Sequence, residues 1–352
     1  MPSDFSEERT SLCPLFGECG GCSYQDIPYE KELIIKNNLI MELLSKRLLF
    51  SKEIFQPIVP SPQEYYYRHR LDLKFVRTKD NRELIGFTPQ SGKGIVILEN
   101  CFIARKELGD FLPQLKGQIK SEKFSKYRLG NICVRTGEDG RVFWGGMGKK
   151  SLTLCEDQYF WMTVEGRKVF YSLDTFFQAN LFILPSLFKV LKSLPFWGTE
   201  CLFYDLYGGV GLFSIGLIDK VKKSILIEET PASIELAQYN KKYHRLEGRM
   251  DIVAGRVEDE LPRIIKENDL RDSRRSVAMI DPPRAGLSSR MLELLTGTRA
   301  FKNIIYLSCS PESLARDLKV FIDAQWQVQT IIPFDFFPRT KHIETLVVMR
   351  FC

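Results

Sequence analysis

Four short apolar runs in the C-terminal half of the sequence constrain the fold more than any other feature. Helical patterns at 232–245, 288–296 and 311–324 lie between or after them. This alternation predicts an α/β fold with a doubly wound parallel sheet, in which ligands lie at the carboxyl ends of the strands. The runs and the residues that follow them are 201–206 with Gly208, 224–227 with Glu228, 277–280 with Asp281, and 303–307 with Ser308 and Cys309.

The last two apolar runs, 326–332 and 345–351, have no helical pattern between them. They predict an antiparallel pair that closes the sheet. Such an ending departs from the sheet of a dinucleotide-binding Rossmann domain and is typical of a methyltransferase.

The N-terminal half of the sequence predicts a smaller, β-rich domain. Apolar and polar residues alternate from about residue 66 to 171, and turn signals recur between the short runs. A chain of 352 residues usually forms two domains. We expect a β-rich domain at 13–23 and 57–174, and a catalytic domain at 175–352. Between them, residues 24–56 predict an amphipathic helix that packs on the catalytic domain.

Charge and hydropathy bound the partners and the compartment. Lysine plus arginine is 50 and aspartate plus glutamate is 44, which gives a net charge of +6 and permits a polyanionic partner without requiring one. The longest run without a charged residue, 175–188, is shorter than the roughly 20 residues that span a bilayer. No signal peptide is visible at the N-terminus. We therefore expect a soluble, cytoplasmic protein without a membrane partner.

The first motif with chemical meaning is DLYGGVGLFS at 205–214, between a predicted strand and a predicted helix. Its glycines let the backbone approach a ligand, and Glu228 at the end of the next strand could accept hydrogen bonds from ribose hydroxyls. A pyrophosphate-binding turn would need a third glycine where Ser214 stands. The motif therefore favours a nucleoside cofactor without phosphates, and S-adenosylmethionine fits.

Three further motifs follow later strands. DPPRAG at 281–286 would project the Asp281 carboxylate over the sheet edge, although the same residues suit a simple turn. SCSP at 308–311 places Cys309 before a helix N-terminus, which should lower the thiol pKa and favour a nucleophilic thiolate, although many such cysteines only fill a core. In FPRTKHIE at 337–344, a histidine and aromatic residues flank Glu344, which is a candidate general base.

Together these motifs resemble those of the bacterial RNA uracil-5-methyltransferase family, and the resemblance covers most of the chain. It implies a class I S-adenosylmethionine-dependent methyltransferase domain with a smaller β-rich, RNA-binding domain. The matching segments are FFQAN (176–180), DLYGGVGLFS (205–214), IEE (227–229), DPPRAG (281–286), SCSP (308–311) and FPRTKHIET (337–345). The residues that would hold S-adenosylmethionine or frame the reactive centre are Gln178, Tyr207, Glu228 and Asp281.

The resemblance assigns Cys309 as the nucleophile and Glu344 as the proton acceptor. Uracil C5 is a poor nucleophile, and thiolate addition at C6 creates an enolate that can attack a sulfonium methyl group. A base then removes the C5 proton so that the cysteine is eliminated. The target base must first leave its stack in folded RNA. The sequence departs from the family at Gly208, where Cys is frequent, at Leu212, where Asn is frequent, and at Ser310, where Asn is commoner.

Three of the nine cysteines fall within ten residues, at Cys13, Cys19 and Cys22, and Cys101 lies far along the chain. In a reducing compartment such a cluster indicates metal ligation. Two short cysteine pairs would be usual for zinc, whereas three clustered thiolates and a remote one suit an iron–sulfur cluster; zinc and free thiols are the alternatives. The rRNA-modifying branch of the family binds a [4Fe–4S] cluster at this spacing, and the tRNA branch typically lacks these cysteines. The cysteines expected to be packing or surface residues are Cys133, Cys155, Cys201 and Cys352.

The sequence as a whole predicts a 23S rRNA uracil-5-methyltransferase with a [4Fe–4S] cluster, acting as a monomer without an obligate protein partner. A tRNA uracil-5-methyltransferase and an RNA-binding assembly factor without activity are the alternatives. A DNA cytosine-5 enzyme is disfavoured because its Pro-Cys and Glu-Asn-Val signatures are missing. No RNA-binding module precedes the cysteines, so the β-rich domain should recognise most of the RNA. Its segment YYYRHR (65–70) suits either stacking on single-stranded RNA or an edge strand with a solvated face.

Overall fold

The computed structural model describes residues 10–48, 50–121, 128–146, 158–267, 276–298 and 300–351. Cys155 and Cys352 lie outside these ranges. The helices are α1 (Tyr29–Arg47), α2 (Lys106–Ser121), α3 (Leu184–Ser193), α4 (Leu212–Gly216), α5 (Pro231–Tyr243), α6 (Val257–Glu267), α7 (Ser289–Gly297) and α8 (Pro311–Asp323). The strands are β1 (Arg70–Arg77), β2 (Glu83–Phe87), β3 (Val96–Ile97), β4 (Leu129–Thr136), β5 (Val142–Gly146), β6 (Phe160–Val164), β7 (Arg167–Tyr171), β8 (Leu202–Leu206), β9 (Lys223–Glu228), β10 (Met250–Ala254), β11 (Ser276–Ile280), β12 (Asn303–Ser308), β13 (Trp326–Phe334) and β14 (Glu344–Phe351).

A seven-stranded sheet forms the centre of the C-terminal half, in the order β10-β9-β8-β11-β12-β14-β13. Strands β8 to β12 are parallel, and β14 pairs antiparallel with both β12 and β13. The predicted fold class is confirmed, including the closing antiparallel pair. Strand β10 and helix α6 were not predicted, and β10 is an edge strand whose middle residues are only partly buried.

Helices cover both faces of this sheet because its strands are apolar on both sides. Along β8, Phe203 packs into one core cluster while Tyr204 and Leu206 pack into the other. One face carries α3, α4, α5 and the β6–β7 hairpin, and the opposite face carries α1, α6, α7 and α8. This two-sided burial explains why the strands appear as continuous apolar runs in the sequence.

A five-stranded antiparallel sheet, ordered β3-β2-β1-β4-β5, forms most of the N-terminal half. Leu71, Leu73 and Phe75 of β1 point to its buried face, which agrees with the alternation in the sequence. Helix α2 packs on this face and was missed by the strand interpretation. Its buried residues do follow helical spacing, as Leu108, Leu112, Leu115 and Ile119 show.

Helix α1 is shorter than the predicted segment and buries a different face. It ends at Arg47, and Ile40 and Leu44 pack with the core of the seven-stranded sheet. Ile34 and Leu39 are exposed, whereas the charged residues Glu32 and Lys36 are buried. The reason is a set of oppositely charged partners from distant segments, which the periodicity of one helix cannot reveal.

The edge-strand interpretation of residues 65–70 is wrong, and the RNA-stacking interpretation fails for two of the residues. Tyr67 and His69 are fully buried, so they are not available for stacking on RNA, whereas Tyr65 and Tyr66 are half-buried. Arg70 begins β1, which has strands on both sides and is not an edge strand. The Tyr67 hydroxyl instead donates to the carbonyl oxygen of Pro338 at 2.9 Å.

Within the described ranges, no helix is both long and apolar enough to span a bilayer.

Candidate functional site

A cavity of about 610 Å³ opens at the carboxyl ends of β8, β9, β11 and β12. All six residues proposed from the sequence for cofactor binding and catalysis line it. The parallel strands bring four of them together, because Tyr207, Glu228, Asp281 and Cys309 lie at the carboxyl ends of β8, β9, β11 and β12. Glu344 begins the antiparallel strand β14, and Gln178 precedes α3. The six residues are Gln178, Tyr207, Glu228, Asp281, Cys309 and Glu344.

The glycine-rich turn after β8 is fixed by two carboxylates. Asp205 is fully buried and accepts hydrogen bonds from the backbone N–H and hydroxyl of Ser214, at 2.9 and 2.6 Å. Glu228 accepts from the N–H of Gly209 at 3.0 Å. A Cβ atom at Gly208 would lie 2.5 Å from Cγ of Leu226, so the cysteine frequent at this position in the family would not fit without a shift. The turn therefore holds its shape before any ligand arrives.

Gln178 and Asp281 form a hydrogen-bonded pair, in which the Gln178 amide donates to the Asp281 carboxylate at 2.9 Å. Burial raises the pKa of Asp281 to about 7, and the nearby Asp205 carboxylate acts in the same direction. The amide of Gln178 opposes this by stabilising the charged form. A carboxyl group poised near neutral pH at a strand end suits contact with a cationic or hydrogen-bonding ligand.

Cys309 lies between β12 and α8, as predicted, with Ser310 as the N-cap of the helix. The expected lowering of its pKa is wrong. Burial, together with the Glu344 and Asp281 carboxylates, raises the pKa of the Cys309 thiol to about 11, although Arg284 lowers it. The desolvation and the two negative neighbours outweigh the helix N-terminus. In the free protein Cys309 is a neutral thiol.

Glu344 begins β14 and reaches the cavity through strand pairing. Ser308 of β12 pairs with Thr345 of β14, and the antiparallel register makes Cys309 and Glu344 the next two facing positions. The Glu344 side chain is buried, and its Oε2 has no hydrogen-bond partner in the described part of the chain. Burial and the Asp281 charge raise the pKa of Glu344 well above its usual value. An unpaired, buried carboxyl group beside a thiol is suited to proton transfer with a bound ligand.

Sequence reasoning missed several polar residues of the cavity, among them Arg284, Glu258 and His342. Arg284 belongs to the DPPRAG motif and lowers the pKa of the thiol of Cys309 and the carboxyl group of Glu344. Glu258 accepts hydrogen bonds from Tyr207 at 3.4 Å and from Ser288 at 2.9 Å. Glu258 could have been found in the sequence as an acidic residue shortly after a strand, but that strand, β10, was not predicted either. His342 was considered only as a neighbour of Glu344, and burial lowers its pKa to about 4, so its imidazole is neutral.

A second cavity, of about 220 Å³, is lined by the four clustered cysteines. Cys13, Cys19, Cys22 and Cys101 are all free thiols around this space, and burial raises the pKa of Cys22 to about 12, with further contributions from the other three. Among the described residues, no group of three or more His, Cys, Asp or Glu side chains is arranged to hold a metal ion. The thiols thus surround a cavity and do not converge on one point.

Two of the remaining cysteines are packing residues, as expected. Cys201 is buried in the core of the seven-stranded sheet, and Cys133 is half-buried against the same cluster.

Comparison with known proteins identifies the family. The sequence model described as tRNA (uracil-5-)-methyltransferase matches residues 148–351, which is more than half of the chain. The chain belongs to this family. It is therefore an RNA methyltransferase that acts on C5 of uracil.

Similar proteins extend the likeness along almost the whole chain. An uncharacterized RNA methyltransferase of Clostridium tetani is 27% identical and covers 99% of this chain and 85% of that protein. A 23S rRNA (uracil(1939)-C(5))-methyltransferase RlmD of Aliivibrio fischeri is 24% identical and covers 98% and 83%. The structure of a Pyrococcus abyssi tRNA (uracil-54, C5)-methyltransferase in complex with S-adenosyl-L-homocysteine superposes with a TM-score of 0.72 at 21% identity, covering 94% and 85%. The likeness to this solved structure supports the fold described above for this chain.

The raised pKa of Cys309 predicts how the free protein reacts with iodoacetamide. Alkylation of the Cys309 peptide, followed by mass spectrometry, should rise about tenfold per pH unit from pH 7 to 9 without levelling, because only the thiolate reacts. Asp281→Asn should speed alkylation at pH 8.5, since it removes a negative neighbour that is ionised there. Asp174→Asn, another carboxylate of the cavity, is the matched control and should leave the rate unchanged. A plateau below pH 8 would instead indicate an activated thiolate.

Proposed function

We propose that this protein transfers a methyl group from S-adenosylmethionine to C5 of a uridine in 23S rRNA, through a covalent adduct between Cys309 and C6 of the base. One observation carries the mechanism: the Cys309 thiol and the buried Glu344 carboxyl group line a single cavity, next to the paired residues Ser308 and Thr345. Among the described residues, Oε2 of Glu344 has no hydrogen-bond partner.

The residues around the cavity fit S-adenosylmethionine, which supplies an electrophilic methyl group on a sulfonium. Glu228 and Glu258 offer carboxylate oxygens to ribose hydroxyls, and Tyr207 offers a ring beside them. Gln178 and Asp281 line the same cavity as Cys309. The volume of about 610 Å³ is in the range of ligand sites for molecules of this size.

Each step of the reaction has a residue in place. The Cys309 thiolate adds to C6, and the electron pair moves to C5, which takes the methyl group. The Glu344 carboxylate then accepts the C5 proton, and the bond between sulfur and C6 breaks to restore the uracil ring. Arg284 favours the charged forms of both groups, whose pKa values are raised by burial. The Cys309 thiol must therefore lose its proton when the reactants bind in this cavity.

Two variants should fail in different ways if these roles are correct. Cys309→Ala should neither methylate RNA nor cross-link to it, because no adduct forms. Glu344→Gln should accumulate a methylated protein–RNA adduct that survives denaturing gels, since addition proceeds while proton removal stalls.

The control is Cys133→Ala, which removes a half-buried free thiol outside the cavity and should keep wild-type activity. Free methylated RNA at the wild-type rate from Glu344→Gln would rule out Glu344 as the base. Adding Cys309→Ala to Glu344→Gln must abolish the adduct.

We further propose that Cys13, Cys19, Cys22 and Cys101 hold a [4Fe–4S] cluster. Such a cluster places its own iron and sulfide atoms between the four thiolates, so it needs a cavity at their centre. The space of about 220 Å³ lined by all four supports this. A single zinc ion would need the sulfurs to converge, and the described residues contain no such arrangement.

Protein purified without oxygen should therefore be brown and contain about four irons per chain, because four thiolates are present. Cys19→Ser should lose most of this iron, whereas Cys133→Ser should retain it. Iron and zinc are measured together by elemental analysis. Colourless wild-type protein with one zinc per chain would contradict the assignment.

The choice of 23S rRNA over tRNA is supported by the four cysteines and by the similarity to proteins named RlmD. We propose that the β-rich unit formed by residues 13–23 and 57–174 recognises this RNA. Residues 24–56 pack on the catalytic unit at 175–352. An assembly factor without activity is the less favoured function because the whole set of cavity residues is present.

Purified protein should methylate protein-free 23S rRNA and leave tRNA nearly unmodified. Transfer of a radioactive methyl group to each RNA, with nuclease mapping of 5-methyluridine, measures this directly. Binding should weaken steeply with salt, as phosphate contacts do. Preferential labelling of tRNA would favour the alternative substrate, and absence of transfer to both RNAs would favour the assembly factor.

A further inference from the structure

The loop between β13 and β14 carries part of the active site. Residues of the N-terminal half of the chain form hydrogen bonds with this loop. It contributes Phe337 and His342 to the cavity and leads directly to Glu344. Two of its carbonyl oxygens accept hydrogen bonds from side chains outside the seven-stranded sheet. Lys36 donates to Phe337 at 3.0 Å, and the Tyr67 hydroxyl donates to Pro338.

Arg339 makes the closest connection between this loop and the cysteine-bearing segment. Its carbonyl oxygen accepts from the N–H groups of Ser23 and Tyr24, at 2.8 and 3.2 Å, immediately after Cys22. Its guanidinium donates to the carbonyl oxygens of Tyr24 and Ile27, at 3.0 and 2.7 Å. The backbone and the side chain of Arg339 therefore both bind the short segment from Ser23 to Ile27.

The conformation of Arg339 depends on these contacts. Its φ of 66° lies in the left-handed region, which a residue with a Cβ keeps only where its surroundings fix it. The side chain is fully buried. Its charge is balanced by Glu64, which forms an ion pair with it, and by Glu32, whose carboxylate also accepts from the Arg339 N–H at 2.8 Å. Removal of the guanidinium would take one cation away from Glu64 and Glu32, while Lys36 would remain beside Glu32.

We propose that Arg339 is a positioning residue that transmits order at the four-cysteine site to the active-site loop. The coupling to the cluster rests on the proposed function. The contacts of Arg339 do not depend on whether a cluster is bound. Cys309, Gln178 and Asp281 come from other elements, so Arg339 should affect the step performed by Glu344 and leave cofactor binding intact.

Hydrogen exchange measured by mass spectrometry tests this in the purified, full-length protein. The amides of Arg339, Thr340 and His342 are hydrogen-bonded within or next to the loop and report on its order. In Arg339→Met and in Cys22→Ala, the loop peptide should exchange about tenfold faster or more, while peptides from β8, β9 and β11 keep their wild-type rates.

The matched control is Arg135→Met. Arg135 is equally buried and also binds carbonyl oxygens, those of Ser172 and Thr175, but it does not contact the loop. It should leave loop exchange unchanged. Arg339→Lys keeps the charge but has one nitrogen, whereas Arg339 binds the two carbonyl oxygens through Nη1 and Glu64 through Nη2. It should therefore give an intermediate rate, and it serves if Arg339→Met does not fold.

A kinetic readout separates positioning from general destabilisation. With RNA containing 5-fluorouridine at the target, no C5 proton can be removed, so the adduct accumulates and reports addition and methyl transfer alone. Arg339→Met should form this adduct at nearly the wild-type rate and should release product from normal RNA several-fold more slowly.

Wild-type exchange of the loop in Arg339→Met would overturn the proposal, as would equally increased exchange in β8 and β9. Loosening in Arg339→Met but not in Cys22→Ala would overturn the coupling to the cysteine site. The iron content of the wild-type protein decides the cluster separately: iron-free protein whose loop is still loosened by Arg339→Met would reject the cluster and support the positioning role.

Discussion

Antiparallel pairing of β14 with β12 is the constraint on which the site depends. The parallel strands alone would present Asp281 and Cys309 at the sheet edge, together with the glycine-rich turn after β8. Glu344 joins them because β14 runs in the opposite direction, so that its second residue, Thr345, pairs with Ser308 at the end of β12. The closing pair therefore brings the proposed nucleophile and the proposed base into one cavity.

The same burial that brings these groups together also sets their charge states. A thiol and two carboxyl groups share one cavity, and desolvation raises the pKa of all three. Neighbouring carboxylates add to the shift: Asp281 acts on both Cys309 and Glu344, and Asp205 acts on Asp281. Arg284 opposes the shift at Cys309 and Glu344. The free protein thus holds Cys309 as a neutral thiol.

The N-terminal segment contributes to the catalytic half more directly than its position in the sequence indicates. Glu32 and Lys36 on α1 form a buried charged cluster with Asp335 and Arg339, and the Lys36 ammonium lies 2.7 Å from both Glu32 and Asp335. Breaking such a buried pair by removing one partner typically costs about 3–5 kcal/mol. The cluster connects the loop before Glu344 to α1 and to the residues that follow Cys22.

The doubly wound sheet and the closing antiparallel pair could be predicted from the sequence, as could Tyr207, Glu228, Asp281 and Cys309, because they lie at the carboxyl ends of parallel strands. Gln178 and Glu344 were predicted from the resemblance to the family. The pKa of Cys309 could not be predicted, since it depends on Glu344 and Asp281, which reach it through the fold. The sequence also did not reveal β10 with Glu258 or the burial of Tyr67 and His69. The link from Arg339 to Ser23 and Tyr24, next to Cys22, is visible only in the tertiary structure, because buried charges find their partners in space and leave no periodic pattern in the sequence.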